Sequence, residues 1–203
     1  MPDDHTQPDP VQGPPLAENR LLLVLPSWVG DAAMVTPALV RIREAMPGAF
    51  LGALARPGID RILDGLTTPA GAGVIDEFHV ARPTGVLGPK HVAAKIRPRR
   101  YATALLFTGS FSTALTVRVA GIPRRIGYER DGRGLLLTRR LRAPKSESGN
   151  WAIVPAVSYY WHAAGALLDP STDPALPAPV LDDPARVRLD LPSSARLRLG
   201  VTA

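Results

Sequence analysis

The stretch that most constrains the fold is Arg20–Pro37, with the sequence RLLLVLPSWVGDAAMVTP. Leu21–Leu25 is a continuous apolar run, which is typical of a strand buried on both faces of a sheet. Pro26, Ser27 and Gly30 disfavour continuation of that strand, so a turn is predicted there. Beyond the turn, apolar residues recur close to helical spacing. A strand, a tight turn and a helix in this order place the turn at the carboxyl edge of a parallel sheet, where open α/β folds bind ligands.

The same alternation of strand and helix patterns continues along the chain. Further strands are predicted over residues 49–55, 74–80, 101–108 and 124–128, with another possible pairing segment within 132–141. Helices are predicted over residues 57–66, 88–99 and 110–120, and over 150–168 with Asn150 as its N-cap. We therefore predict an α/β fold for residues 20–168, with a doubly wound, Rossmann-like and mostly parallel sheet.

The two ends of the chain differ in composition from this body. Residues 1–19 are acidic and proline-rich, lack the pattern of a signal peptide, and are predicted to form a disordered leader. Residues 169–203 are proline-dense and typical of a linker, which ends near the point where a further domain would begin. No stretch reaches the roughly 18 apolar residues of a membrane span, which favours a cytoplasmic protein. The chain has no cysteine, and its four histidines lack ligand spacing, so no metal site is expected.

Positive charge is concentrated in the second half of the predicted domain. Residues 82–145 carry 15 Lys and Arg against two acids, Glu129 and Asp131, whereas the whole chain has a net charge of +6. Most of these cations are Arg, which suits bidentate contact with phosphate or carboxylate. Three interpretations stay open: arginines scattered over solvated faces, a nucleic-acid surface, and a site for an anionic small molecule or lipid headgroup. The segment carries no interleaved aromatic platform and no recognised nucleic-acid motif, so no nucleic-acid partner is expected.

Asp31 is the one ionisable side chain in the turn after the first predicted strand. As a helix N-cap it would accept N–H groups of the first turn, and as a catalytic base it would accept a proton from a substrate. Pro37 bears on this choice, because proline inside a helix removes a hydrogen bond. Either the helix begins at Thr36–Pro37 and Asp31 lies in a loop, or a first turn that begins at Asp31 is bent at Pro37. The turn lacks a GxGxxG pattern, which disfavours a dinucleotide site.

Two blocks of the sequence resemble the bacterial lipopolysaccharide heptosyltransferases, glycosyltransferase family 9. The first is PSWVGDAAMVTPAL at residues 26–39, and the second is LLFTGSFSTALTVRVAGIPRRIGYERDGRGLLLT at residues 105–138. The blocks occur in the family's order, and the resemblance extends over roughly residues 20–168. It is closest to the branch of the family that adds the second heptose.

This resemblance implies that the chain is the N-terminal, acceptor-binding half of a two-domain GT-B glycosyltransferase. In that family the C-terminal half holds most of the donor, ADP-heptose. Transfer inverts the anomeric centre in a single displacement, without a metal or another cofactor. Asp31 matches the family's proposed general base, and a donor-side loop and an acceptor-binding set are implied around it. The donor-side loop comprises Ser27, Trp28, Val29 and Gly30, and the acceptor-binding set comprises Ser110, Phe111, Ser112, Arg124, Arg125 and Arg133.

Two departures from the family pattern affect the functional prediction. Ser112 stands where close relatives usually carry Lys or Arg, and the donor domain is missing from this sequence. We therefore expect an inverting, metal-independent heptosyltransferase-like enzyme that needs a separate donor domain and has no appreciable transfer activity alone. Its expected substrates are ADP-heptose and an anionic acceptor of the lipopolysaccharide-core type, met at the inner face of the cytoplasmic membrane. The alternative is a non-catalytic module that binds an anionic glycolipid.

Overall fold

The computed structural model describes residues 19–82, 85–145, 149 and 151–177. Over these residues the chain forms six strands and five α-helices that alternate along most of its length. The strands are β1 (Arg20–Val24), β2 (Phe50–Ala55), β3 (Glu77–Val80), β4 (Thr103–Leu106), β5 (Arg124–Tyr128) and β6 (Arg139–Leu141). The helices are α1 (Val29–Ala45), α2 (Ile59–Leu63), α3 (Gly88–Ile96), α4 (Phe111–Val119) and α5 (Ala156–Leu168), with short 3-10 helices at Arg97–Arg99 and Arg133–Leu136.

The six strands form one sheet in the order β3-β2-β1-β4-β5-β6, and every neighbouring pair is parallel. Alternate residues of β1 enter two apolar cores on opposite faces of the sheet. Leu21 and Leu23 pack with α1, α2 and α5, whereas Leu22 and Val24 pack with α3 and α4. Helices therefore cover both faces, which explains why the strands are continuous apolar runs. The predicted doubly wound, Rossmann-like α/β fold is confirmed.

Helix α1 resolves the two alternatives for the segment that contains Pro37. The helix begins at Val29, follows the N-cap residue Trp28, and continues past Pro37 to Ala45. The alternative in which the helix begins at Thr36–Pro37 is therefore wrong. Asp31 is the third residue of the helix, not its N-cap, so the capping role considered from the sequence is wrong as well. Its side chain is free for another partner.

Helix α5 begins later than its sequence predicts. The prediction placed its start at Asn150, which lies outside the described residues, but the helix begins at Ala156 after Pro155. Trp151 instead bridges Lys145 in an extended pairing. A proline disfavours helical backbone at the residue before it. The helix therefore does not extend from Pro155 back into the apolar residues 151–154.

The described residues that follow α5 pack against the domain. Ala175 bridges Arg142 beside β6, and Leu176 is buried in the core that contains α1 and α5. The predicted linker at 169–203 thus contributes packed residues at its beginning. The leader predicted over residues 1–19 lies almost wholly outside the described residues. In the described part of the chain, no helix is long and apolar enough to cross a membrane.

Candidate active site at the carboxyl edge of the sheet

The strand order creates a crevice between the carboxyl ends of β1 and β4. From β1 the chain continues through α1 to β2 on one side, and β4 lies on the other side of β1. Helices α1 and α4 pack on opposite faces of the sheet, so the loops after β1 and β4 diverge. Such a switch point in strand order is where open α/β sheets bind ligands.

A small cavity of about 80 Å³ opens at this crevice. Its polar lining residues are mostly Ser and Thr of the loops after β1 and β4 and of the start of α4, with one Arg directly after β2. The polar lining residues are Ser27, Arg56, Thr108, Ser110, Ser112 and Thr113. The Thr108 and Thr113 hydroxyls lie 2.8 Å apart, and Thr113 also donates to the carbonyl of Ser110. The volume suits a few water molecules or one small anionic group.

The start of α4 forms part of the wall of this cavity. Ser110 is the N-cap residue of α4, but its side chain caps no N–H group. The first N–H groups of a helix have no partner within the helix, and they attract negative charge. The structure thus places Ser110 and Ser112 at the start of a helix, as the sequence predicts. Both residues line the cavity.

Asp31 lies at the same edge, in the first turn of α1 after β1. It does not line the small cavity, and its side chain turns instead towards α5. Tyr160 donates its hydroxyl to Oδ1 of Asp31 at 3.0 Å. Within the described ranges, Asp31 forms no salt bridge and accepts no other hydrogen bond. The carboxylate thus keeps acceptor capacity at the edge where a ligand would bind.

Three apolar side chains project beside Asp31 and the cavity. Trp28 and Val29 precede Asp31 and are 76% and 62% exposed, and Phe111 at the start of α4 is 49% exposed. Gly30, between Val29 and Asp31, has no heavy atom within 4 Å of the position that a Cβ would occupy. Of the predicted donor-side loop, only Ser27 and Trp28 precede α1, whereas Val29 and Gly30 form its first turn. Ser27 lies in the cavity wall, and Trp28 and Val29 are exposed at the carboxyl edge.

Arg124 and Arg125 lie at the opposite edge of the sheet. They begin β5, where they pair with Thr103 and Ala104 at the start of β4. Tyr128 is at the carboxyl end of β5. Arg124 lies four residues earlier, which corresponds to about 13 Å along the strand. The Arg125 guanidinium donates to the carbonyl oxygens of residues 122, 123 and 136. The structure does not bring these two predicted acceptor ligands together with Asp31.

Arg133 lies at the carboxyl edge but is fully buried. Its Nε donates to the carbonyl of Tyr128 at 2.7 Å, and Nη1 donates to the carbonyl of Thr108. Nη2 is buried and has no hydrogen-bond partner among the described residues. Burial lowers the pKa of Arg133 from its ordinary value. In this arrangement Arg133 joins the ends of β4 and β5 beneath the surface, and none of its atoms reaches solvent.

Two residues of this edge were missing from the sequence-based site. Arg56 immediately follows β2 and lines the cavity, and a search restricted to ends of predicted parallel strands would have included it. Tyr160 lies 129 residues from Asp31 in sequence, inside an apolar helical pattern. No local signal in the sequence links Tyr160 to the turn after β1. No group of three metal-ligating side chains occurs among the residues that the structure describes.

Comparison with known proteins identifies relatives for this arrangement. The chain is 30% identical to lipopolysaccharide heptosyltransferase 2 of Escherichia coli K12 over 125 residues, which cover 58% of this chain and 33% of that protein. It is 27% identical to lipopolysaccharide heptosyltransferase 2 of Salmonella typhimurium LT2 over 130 residues, 60% of this chain and 35% of that protein. No protein-family model matches the chain.

Solved structures give the same result. The structure of E. coli ADP-heptose LPS heptosyltransferase II aligns with a TM-score of 0.54 at 25% identity, covering 71% of this chain and 40% of that chain. A glycosyl transferase family 9 protein from Veillonella parvula aligns with a TM-score of 0.60 at 18% identity, covering 75% of this chain and 42% of that chain. The resemblance to heptosyltransferases is thereby confirmed, and the chain spans about a third of the length of the curated relatives it matches.

Proposed function

We propose that this chain is the acceptor-side half of a GT-B, heptosyltransferase-like glycosyltransferase, with Asp31 as its general base. The proposed donor is ADP-heptose, and the proposed acceptor is an anionic glycolipid of the lipopolysaccharide-core type. Donor binding depends on a second domain, which in the proposal closes over the carboxyl edge of this one. The acceptor is lipid-anchored, so the reaction takes place at the inner face of the cytoplasmic membrane.

The observation that carries this proposal is the position of the Asp31 carboxylate. It lies after β1 at the carboxyl edge, beside the crevice between β1 and β4, and it pairs with no cation among the described residues. A catalytic base must be able to reach the hydroxyl that it deprotonates, and it must not be neutralised by a structural ion pair. The position of Asp31 at the carboxyl edge and the absence of an ion pair to it among the described residues support this role.

In the proposed reaction one bond forms and one breaks. The acceptor hydroxyl oxygen attacks the anomeric carbon of the heptose while the bond from that carbon to the diphosphate oxygen breaks. ADP leaves with the bonding electron pair, and Asp31 takes the proton of the attacking hydroxyl. Attack opposite the leaving group inverts the anomeric centre, and no step requires a metal or redox group.

The cavity beside Asp31 provides groups for an anionic part of the acceptor. Ser110, Ser112 and Arg56 line a space sized for a carboxylate or phosphate, and the start of α4, a position that favours anions, forms part of its wall. Hydroxyls and N–H groups give such an anion direct hydrogen bonds, and Arg56 adds charge-assisted ones. These contacts would hold the acceptor sugar, while Asp31 acts on its hydroxyl.

The test uses this domain fused to the donor half of E. coli heptosyltransferase 2, with Asp31→Asn as the variant. Asn keeps the shape of the side chain and can still accept the Tyr160 hydroxyl, but it cannot accept a proton. We expect kcat to fall by about 10²–10⁴-fold, the usual contribution of general base catalysis, with the KM for acceptor little changed. The melting temperature should stay near that of the parent fusion.

Asp60→Asn is the matched control. Asp60 also lies in the first turn of a helix at the carboxyl edge, and its Oδ1 accepts the N–H of Gly58, a contact that Asn can keep. This variant should retain the parent rate. If Asp31→Asn also retains most of the rate, Asp31 is not the base. If the fusion binds the acceptor but transfers nothing in any form, the alternative of a glycolipid-binding module is supported instead.

A further inference from the structure

We propose that Tyr160 is a positioning residue for Asp31, one that fixes the orientation of its carboxylate and remains a permanent hydrogen-bond donor to it. This inference rests on the proposed function of Asp31. It assigns a role in the reaction to α5, which contributes no residue to the cavity.

The Tyr160 hydroxyl is held in place by its surroundings. Its side chain is almost fully buried, and its oxygen lies 3.0 Å from Oδ1 of Asp31. The ring packs edge-to-face against Phe107 at a centroid distance of 5.7 Å, and it makes a second T-shaped contact with Tyr159 at 5.9 Å. A buried ring held by two such contacts aims its hydroxyl in one direction, so the donor needs no reorganisation before the reaction.

The hydrogen bond leaves the two carboxylate oxygens of Asp31 with different roles. Oδ1 accepts the Tyr160 hydroxyl, and Oδ2 accepts no hydrogen bond from the described residues. Oδ2 is therefore the atom that we assign to the acceptor hydroxyl. Because carboxylate rotation is restricted by the bond to Oδ1, Oδ2 points in a defined direction, and base catalysis depends on such alignment.

Tyr160 acts as a donor and not as a second base. Burial and the neighbouring Asp31 carboxylate both raise the pKa of Tyr160 above its ordinary value. The phenol therefore keeps its proton at neutral pH.

Phe107 connects this pair to the cavity. It directly follows β4 and directly precedes Thr108, which lines the cavity and whose carbonyl oxygen accepts a hydrogen bond from Arg133. The ring that supports Tyr160 is thus fixed by the same loop that forms the cavity wall. The proposed base and the proposed anion site therefore share a rigid support.

The first experiment detects the contact in the chain itself, without any activity. Tyrosine labelled with ¹³C at Cζ gives one resonance for each of the four tyrosines, and Tyr160→Phe identifies the one that belongs to Tyr160. In Asp31→Asn at neutral pH, the acceptor of the Tyr160 hydroxyl becomes uncharged, so the Tyr160 resonance should move. The Tyr101 resonance should stay in place, because its hydroxyl contacts His79. An unmoved Tyr160 resonance would overturn the inference.

The second experiment measures transfer by the fusion with the E. coli donor half. Tyr160→Phe keeps the ring packing and removes only the hydroxyl, and we expect kcat to fall by roughly 10–100-fold with the KM for acceptor unchanged. Tyr159→Phe, the same change at the adjacent residue, should keep the parent kcat. A purely structural role for Tyr160 would instead lower stability or raise KM and leave kcat near the parent value.

The outcomes separate this inference from the proposed function. If Asp31→Asn lowers kcat and Tyr160→Phe does not, Tyr160 has no positioning role, while Asp31 remains the base. If neither variant lowers kcat, the proposed role of Asp31 fails and the positioning role fails with it.

Discussion

At the scale of single residues, several arginines of this chain bind backbone carbonyl oxygens. Arg43 donates to the carbonyls of Val74, Pro47 and Ala49, in addition to its salt bridge with Asp76. Arg125, Arg133 and Arg139 also donate to backbone carbonyl oxygens. The sequence indicated a surplus of positively charged residues but not which of them point inward, because a long side chain can point inward or outward from the same position. Part of the basic surplus therefore has a structural role.

A substitution of Arg133 tests whether this residue has a structural role or a ligand-binding role. Arg133→Met keeps most of the buried volume but leaves the carbonyls of Thr108 and Tyr128 without their donor. Each buried group left unsatisfied costs about 1–3 kcal/mol, and removal of a buried charge offsets part of that cost. We expect the free energy of unfolding to fall by about 2–4 kcal/mol, measured by urea denaturation.

The control for this variant is Arg124→Met, at an exposed position on the opposite edge of the sheet. It should change stability by no more than about 0.5 kcal/mol. If Arg133→Met keeps its stability and only weakens acceptor binding in the fusion, the acceptor-binding role predicted from the sequence is correct and the structural role is not.

At the scale of elements, α1 shows how a helix accommodates an internal proline. Pro37 has no N–H group to donate to the carbonyl of Ala33, four residues earlier. The Thr36 hydroxyl donates to that carbonyl at 2.8 Å, and the Thr36 side chain is buried. The hydroxyl thus replaces the hydrogen bond that the proline removes. This compensation explains why α1 continues from Val29 to Ala45 and keeps Asp31 inside its first turn.

A double-mutant cycle at Thr36 and Pro37 tests this compensation. Thr36→Val removes the hydroxyl and should lower the free energy of unfolding by about 1–2 kcal/mol, because the Ala33 carbonyl loses its donor. In a Pro37→Ala background the new N–H group can bond to that carbonyl, so Thr36→Val should cost clearly less. Chemical denaturation of the four proteins gives the coupling. Equal costs in the two backgrounds would show that the hydroxyl does not replace the lost bond.

The elements also show which parts of the fold a sequence can predict. The apolar runs of β1, β2 and β4 and the stop of α4 before Gly121, which has a positive φ, follow from local rules, and they were predicted correctly. The start of α5 lies later than the Asn150 cap predicts, because Pro155 disfavours helical backbone at the residue before it. The continuity of α1 was ambiguous because it depends on the Thr36 hydroxyl, whose partner cannot be read from spacing.

At the scale of the whole molecule, the direction of the strands decides which predicted site residues meet. Residues that follow β1 and β4, such as Ser27, Asp31 and Ser110, come to one edge, as the parallel arrangement requires. Arg124 and Arg125 begin β5, and the same rule places them at the other edge. The position of these two arginines follows from the sequence once residues 124–128 are predicted to form a parallel strand. The contact of Asp31 with Tyr160 was not, because it depends on how α5 packs against α1.

His162 links three parts of the molecule. It lies on α5, its Nδ1 is 2.8 Å from the hydroxyl of Tyr128 on β5, and its Nε2 is 2.8 Å from the carbonyl of Asp173 beyond the helix. Burial lowers the pKa of His162, and Arg139 adds to this effect, while Asp173 partly opposes it. Burial also lowers the pKa of His79, which contacts Tyr101 on the other face of the sheet. Both histidines are therefore favoured as neutral groups in the folded protein.

We predict that the stability of the folded domain decreases as the pH falls below about 6.5, the ordinary pKa of histidine in an unfolded chain. In that range the unfolded chain binds protons that the half-buried neutral histidines of the folded protein do not, and acid thus favours unfolding. His162→Gln removes one of these groups and can still donate to the Asp173 carbonyl. We expect a smaller difference in unfolding free energy between pH 7.5 and pH 5.5 in this variant, measured by urea denaturation. His91→Gln, at an exposed position on α3, should keep the parent pH dependence. An unchanged pH dependence in His162→Gln would mean that His162 is protonated as easily in the folded protein as in the unfolded chain.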